Sequence, residues 1–347
     1  MTFRTISNRK LPCMFACSKI RILVLVVPVI LSCRSDVKNP DIFNDINVDL
    51  QSKELSTIYN NFLKVDIKSK GAELSSIKQS EKEYLWQGDT AIWKHQSPIL
   101  FPIVGRLVDH EYSYKDKTYP MNFHGFAWKN TFQVIEKSTT SVTFQLTSSK
   151  ELKEIYPFDF ILCVKYTLKN SSLEVEYEVR NPSKTEDLYF SIGAHPAFNC
   201  PMEANQKRNE FQLVFDTDAM PKSQDKASGL FIDEFTQYFE NPGILKIKDT
   251  TFNKGALVFN PNPFSKVTLI HEPSQTKYLS LEFANFPFLG IWSAKNKNGI
   301  VAPFVCIEPW YGIADKTNHN KDYITKEGII KLGTNNTFNC KYTVEIY

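Results

Sequence analysis

From Tyr59 to the C-terminus, apolar and polar residues alternate with a period of two. In Ser141–Ser149 (SVTFQLTSS), Val142, Phe144 and Leu146 fall on one face and Thr143, Gln145 and Thr147 on the other. Leu173–Asn181 (LEVEYEVRN) is cleaner: Leu173, Val175, Tyr177 and Val179 face in, while Glu174, Glu176, Glu178 and Arg180 face water. FQLVFD, KVTLIHE, KYLSLEF and the terminal TFNCKYTVEIY repeat the pattern. Such alternation predicts antiparallel strands with one solvated face. Lys169-Asn170-Ser171-Ser172, Asn181-Pro182-Ser183 and Asn241-Pro242-Gly243 supply the turns between them. Long amphipathic helical patterns are nearly absent. The polar connections 200–210 and 219–243 are expected to hold short helical turns rather than strands. Residues 59–347, about 290 positions without an internal repeat, therefore predict an all-β chain. The expected architecture is a large antiparallel two-sheet sandwich forming a single domain.

Composition agrees. Phe (26) and Tyr (15) outnumber Gly (13), as suits pleated, half-buried surfaces. The net charge of +3 misleads, because residues 1–40 carry seven Lys/Arg and one Asp, leaving a weakly acidic body. That body has no electrostatic footprint for nucleic acid. Lys19 and Arg21 precede an apolar run, Ile22–Leu31, that closes on Ser32 and Cys33. The run is shorter than the roughly 20 residues of a bilayer span. A charged flank, a short apolar core and a small residue describe a secretory signal over residues 1–32. Cys33 after Ile-Leu-Ser resembles a bacterial lipobox, so Cys33 is the expected lipidation site. Residues 33–58 then read as a polar tether. The protein is expected to be exported, to the periplasm or as a lipoprotein whose lipid is its one membrane contact. The competing readings are a short uncleaved anchor, or a start at Met14 and a cytoplasmic protein.

The body keeps Cys163, Cys200, Cys306 and Cys340, with no close pair, which argues against a zinc site or a disulfide scaffold. Cys163, Cys306 and Cys340 sit in apolar runs and read as small buried hydrophobes. Glycine-rich phosphate loops, a G-x-S-x-G elbow and H-E-x-x-H are missing, which argues against a phosphate-loop NTPase, an α/β-hydrolase or a zincin.

Four places set reactive side chains among apolar or aromatic neighbours: Arg106 in SPILFPIVGRL, His124 in MNFHGFAW, His195 in SIGAHPAFN and Glu308 in APFVCIEPWYGIAD. Pro196 holds His195 extended. Glu308 follows Phe304-Val305-Cys306-Ile307 and is costly to bury without a partner. Pro309 is expected to end the strand there. Trp310, Tyr311 and Trp292 add faces on which sugar rings can stack. One carboxylate, two imidazoles and a guanidinium among aromatics make a polyol site with acid–base capability. Paired-carboxylate hydrolysis fits less well.

At these residues the chain resembles the aldose 1-epimerase (mutarotase) family, in its bacterial branch with G-R-L, H-G-F-A and C-I-E-P-W-Y-G. The likeness runs from about Tyr59 through GAELSSI to the C-terminus. It implies a galactose mutarotase-like β-supersandwich with a sugar cleft and no metal or organic cofactor. It further implies Glu308 as general base and His195 as general acid, on opposite sides of the anomeric carbon. His124 would hold the sugar and Arg106 orient it. From the residues themselves, Trp292, Trp310 and Trp128 are expected as further substrate contacts. Relatives acting on hexose 6-phosphates have an arginine where Trp128 stands, which weakens a sugar-phosphate substrate. Asp315 follows in the YGIAD run, with a structural role as natural as a sugar contact. The implied function is anomer interconversion of a free hexose. The competing readings are a hexose-6-phosphate epimerase and a non-catalytic sugar-binding lipoprotein.

Overall fold

The alternating segments assemble into a nine-stranded antiparallel sheet in a computed structural model that describes residues 54–296 and 298–347. Its centre is formed by Thr337–Ile346, Ser172–Arg180, Ile161–Lys169 and Ser141–Thr147. Ser172–Arg180 pairs along its whole length with both neighbours. On it, Leu173, Val175, Tyr177 and Val179 are all buried. Glu174, on the solvated face, is covered by Lys169 and Lys341 at 2.9 and 2.7 Å. The segments 1–32, Cys33 and the tether up to residue 53 lie outside the described residues.

A second sheet has Phe304–Tyr311 at its centre, flanked by Phe288–Trp292 and then Leu257–Phe259. On its other edge two short strands, Ile192–Gly193 and Ala197–Asn199, pair with Phe304–Tyr311 one after the other. A smaller sheet, Leu55–Tyr59 to Lys82–Glu83, precedes both. One apolar core takes Val175 and Leu281 from the nine-stranded sheet, Val305 and Ile307 from the second, and Val65 and Ile67 from the smaller sheet. The expected all-β, antiparallel sandwich-type packing is what forms.

Three local expectations fail for definable reasons. Strand pairing already includes Leu55, ahead of the expected Tyr59, because Leu55–Tyr59 pairs with Lys64–Lys68 and buries Ile58 completely. Five residues are too few for alternation to stand out. The segment 219–243 is not a helical connection: it holds the hairpin Ser223–Ala227 and Leu230–Thr236. Ser228 and Gly229 turn it with φ of 53° and 84°, the two positive values that a tight hairpin turn demands. The Ser-Gly pair was the available signal, hidden by polar strands that lie against the rest of the molecule on one side.

Pro309 does not end its strand, which runs on to Tyr311. The Pro309 carbonyl accepts from the Ala194 N–H at 3.1 Å. A strand residue presents its nitrogen and its carbonyl to the same neighbour. The missing N–H of Pro309 therefore faces the gap between Gly193 and Ala197, where the partner strand is interrupted. No ladder bond is lost there.

Candidate active site

That interruption is what delivers His195. The partner strand leaves the ladder at Ala194, passes His195-Pro196 and rejoins at Ala197. On Phe304–Tyr311 the two-residue period sends Val305 and Ile307 into the main core. Phe304 and Cys306 go to an apolar cluster on the opposite side, and Trp310 to another. Glu308 shares their face. Both His195 and Glu308 line a cavity of about 400 Å³ whose wall is largely apolar.

His195 Nε2 lies 3.2 Å from Glu308 Oε2, with both side chains nearly inaccessible. Glu308 Oε1 is buried and has no hydrogen-bond partner among the described residues. Burial pushes the Glu308 carboxyl well above its ordinary range, opposed by the charge of Lys226. Burial also pulls His195 down to about 3. Desolvation thus disfavours charge on both members. Two groups in such contact titrate as a pair, and burial favours its uncharged form, a protonated carboxyl beside a neutral imidazole. Cys306 is part of the same corner, its sulfur, the imidazole and the carboxylate lying within 4.8 Å of one another. Its thiol is raised well above the usual value by burial, so it stands there protonated, a small uncharged neighbour.

His124 also lines the cavity, edge-on to His195 at 5.6 Å. The Gly105 N–H donates to its Nδ1 at 3.0 Å. Burial, and then the nearby His195, hold its pKa well below the ordinary value. A neutral ring accepting at Nδ1 carries its hydrogen on Nε2, which makes it a donor.

The aromatic wall is built around the dyad. Trp93 stacks on His195 at 5.0 Å, and Trp292 meets it edge-on at 5.5 Å. Trp128 contacts His95 edge-on at 5.0 Å, with the Lys129 ammonium over its ring. Trp310 lies flat against its own sheet. A Cβ on Gly193 or Gly290 would come within 2.5 Å of the indole, so glycine on both flanking strands is what admits the ring. Its Nε1 donates to the Ala194 carbonyl at 3.2 Å. Gly290→Ala is therefore expected to lift Trp310 off the sheet and cost about 1–3 kcal/mol, as overpacking does. Thermal melting with tryptophan fluorescence checks this; an unchanged melt and spectrum would mean that the ring has room to spare.

Of the residues singled out in the sequence, Glu308, His195, His124, Trp128, Trp292 and Trp310 all line this one cavity. Arg106 does not. Its Nε is buried without a hydrogen-bond partner among the described residues, beside Gly229 at the cavity wall. Asp315 is structural: it pairs with the buried Lys326 at 3.2 Å and accepts from the Val108 N–H at 3.0 Å. Sequence reasoning missed Trp93, His95 and Lys226. His95 Nδ1 lies 3.6 Å from Glu73 Oε1. Burial alone would raise Glu73, but the approach of His95 and a hydrogen bond from the Gln96 N–H outweigh it and hold the carboxyl below its ordinary value. Lys226 reaches in from the unforeseen hairpin. Its ammonium donates to the Ala256 carbonyl and lies 5.5 Å from the Phe231 ring centre. Burial lowers it to about 8 against the pull of Glu308.

Comparison with known proteins bears on what this arrangement does. The family model described as aldose 1-epimerase matches residues 54–329. The chromosomal protein LacX of Lactococcus lactis subsp. lactis is 33% identical over 296 residues, which is 83% of this chain and 97% of LacX. The solved structure of a galactose mutarotase related enzyme from Lactobacillus acidophilus superposes with a TM-score of 0.78 at 32% identity, covering 84% of this chain and 97% of that one. A galactose mutarotase-like protein from Lactobacillus casei gives 0.77 at 29% identity, covering 84% of this chain and all of the other (100%).

Proposed function

The chain belongs to the aldose 1-epimerase family, and on that premise we propose that it interconverts the α and β anomers of a free hexose. The observation that carries this reading is the contact between His195 and Glu308, a buried acid–base pair. Anomer exchange removes a proton from the C1 hydroxyl and delivers one to the ring oxygen. The resemblance implies acid and base on opposite sides; they lie in contact instead, and because both oxygens are bonded to C1 a contacting pair can reach both. As base, Glu308 takes the hydroxyl proton while His195 gives its own to the ring oxygen. The C1–O5 bond breaks and the aldehyde forms. Rotation about C1–C2 presents the other aldehyde face, and closure returns both protons with the roles exchanged. No net proton is consumed.

The rest of the wall supports the same reading. Glu308 Oε1 lacks a donor until a hydroxyl supplies one, and an unsatisfied buried acceptor costs about 1–3 kcal/mol. His124 Nε2–H is a donor for a second hydroxyl, and the indoles offer stacking surface. Polarimetry of freshly dissolved α-glucose and α-galactose, with and without protein, tests the proposal. A non-catalytic sugar binder would leave the rate of rotation change untouched.

Trp128 on the wall offers stacking but no bidentate contact to a dianion, which supports a free sugar over its 6-phosphate. Catalytic efficiency is expected to be higher on glucose than on glucose 6-phosphate. A clear preference for the phosphate would overturn that choice of substrate while leaving the chemistry in place. The basic flank and short apolar core ending at Cys33 support the further reading that the enzyme works outside the cytosol.

A further inference from the structure

We propose that Lys226 makes this cavity a site for a hexuronate, an unphosphorylated aldose whose carboxylate sits on the ammonium while its anomeric carbon faces His195 and Glu308. The inference rests on the anomer-exchange reading and deepens it by naming what the sugar carries at C6. It starts from the charges on the wall. Lys226 is the one lysine or arginine among the lining residues, and Glu308 the one carboxyl. Glu308 is engaged by His195 at 3.2 Å, and burial favours the uncharged form of that pair. His124 is held neutral by burial. His95 is turned to Glu73 at 3.6 Å. The Lys226 ammonium is left as the charge facing a largely apolar space.

Among the described residues no carboxylate forms an ion pair with Lys226. Its chain neighbour Asp225 is taken by the Thr236 hydroxyl at 2.7 Å and by Lys254 at 3.7 Å. Arg106, beside Gly229 of the same hairpin, is a second cation whose Nε also lacks a partner. Lys326 shows the contrast: it is buried in the interior, and Asp315 stands 3.2 Å from its ammonium. An ammonium out of water without an anion is costly, and burial brings Lys226 down to about 8. The chain holds it there all the same, through the Ala256 carbonyl and the Phe231 ring at 5.5 Å. An ammonium has three hydrogens, and the carbonyl takes one. Two remain for a carboxylate. Space lies next to them, since Gly255 is also on the wall and a Cβ there would meet nothing within 4 Å.

A single cation selects the anion. A phosphate monoester carries close to two negative charges at neutral pH, and one would stay uncompensated in apolar surroundings. A carboxylate carries one. It is not at C1, because an aldonic acid has no hemiacetal to open. C6 is the remaining terminus, and the pyranose sets C1 and C6 on either side of its ring oxygen. A cavity of about 400 Å³ is in the range that encloses one small ligand, so both ends of the sugar share it.

Galactose and galacturonate differ only at C6, and glucose and glucuronate make a second matched pair. Exchange between anomers followed by NMR gives kcat/KM for each, and calorimetric titration gives binding. Wild type should favour each uronate by about 10–100-fold, the range of a charge-assisted hydrogen bond. Lys226→Met should bring the two members of each pair level, while Lys226→Arg should keep the preference. The wild-type preference should decline above about pH 8, where Lys226 loses its proton, and persist there in Lys226→Arg. Equal handling of galactose and galacturonate by the wild type overturns the inference, and that comparison needs no variant to fold. A preference that survives in Lys226→Met overturns the role of Lys226. Absence of anomer exchange with every sugar would remove the proposed function, while titration would still decide this inference. Tighter binding of galacturonate that is lost in Lys226→Met supports it, and equal binding of the two sugars sinks it.

Discussion

Glu308→Gln is expected to slow catalysed anomer exchange about 10²–10⁴-fold, the range that positioned acid–base groups supply. Glutamine keeps the size and can still donate to or accept from a sugar hydroxyl, so sugar binding should largely persist. Stability supplies the control. The folded-state pKa of Glu308 is raised well above 4.5 by burial. A raised carboxyl contributes stability below its unfolded pKa and loses it as pH rises toward the folded value. Glutamine has no proton to lose. The variant should therefore melt no lower than wild type at pH 8, with its advantage growing from about pH 4.5 upward. A residue retained for packing would behave differently, with melting, binding and turnover falling together. A variant that melts normally, binds sugar and turns over within a few-fold of wild type would remove Glu308 from the mechanism.

Much of this site is legible in the sequence because the reactive residues interrupt a simple pattern. Period-two alternation marks the strands, and Glu308 breaks an apolar run that is apolar on both faces. It does so because the strand is buried on both sides, Val305 and Ile307 in the core and Cys306 toward the cavity cluster. His195 is conspicuous beside Pro196 because the ladder is broken there. What stays hidden has no such contrast. Lys226 sits in SQDKASG, where one more lysine among polar residues carries no signal. Its place in the cavity follows from a turn at Ser228-Gly229 and from pairing with Leu230–Thr236, neither visible as alternation. Trp93 and His95 flank Lys94 in a stretch without regular strands, and tertiary contacts with His195 and Glu73 are what give them a role. Arg106 shows the converse. Its motif is plain, yet its side chain lies behind Gly229 rather than on the cavity wall.

His195→Asn should reduce turnover by a similar factor, about 10²–10⁴-fold, and combining it with Glu308→Gln should cost much less than the product. Groups that serve one proton transfer are not additive. The pH dependence of folding should expose the opposite shifts of the two groups even more directly. Between about pH 4.5 and 6.5 the unfolded chain carries one proton on this pair, on histidine, since its ordinary values are 4.5 for the carboxyl and 6.5 for the imidazole. The native pair also carries one, whichever member holds it. The wild-type pair should thus add no slope to stability in that window. Each single variant unmasks one half. In Glu308→Gln the native His195, lowered to about 3, refuses the proton that the unfolded chain binds, so stability falls as pH drops below 6.5. In His195→Asn the native Glu308 keeps a proton that the unfolded chain releases, so stability falls as pH rises above 4.5. Each slope should approach about 1.4 kcal/mol per pH unit relative to wild type, with opposite signs. Denaturant melts of the three proteins at several pH values in this window measure it. Parallel profiles for all three would mean that folding shifts neither His195 nor Glu308, and the perturbed acid–base pair on which the mechanism depends would not exist.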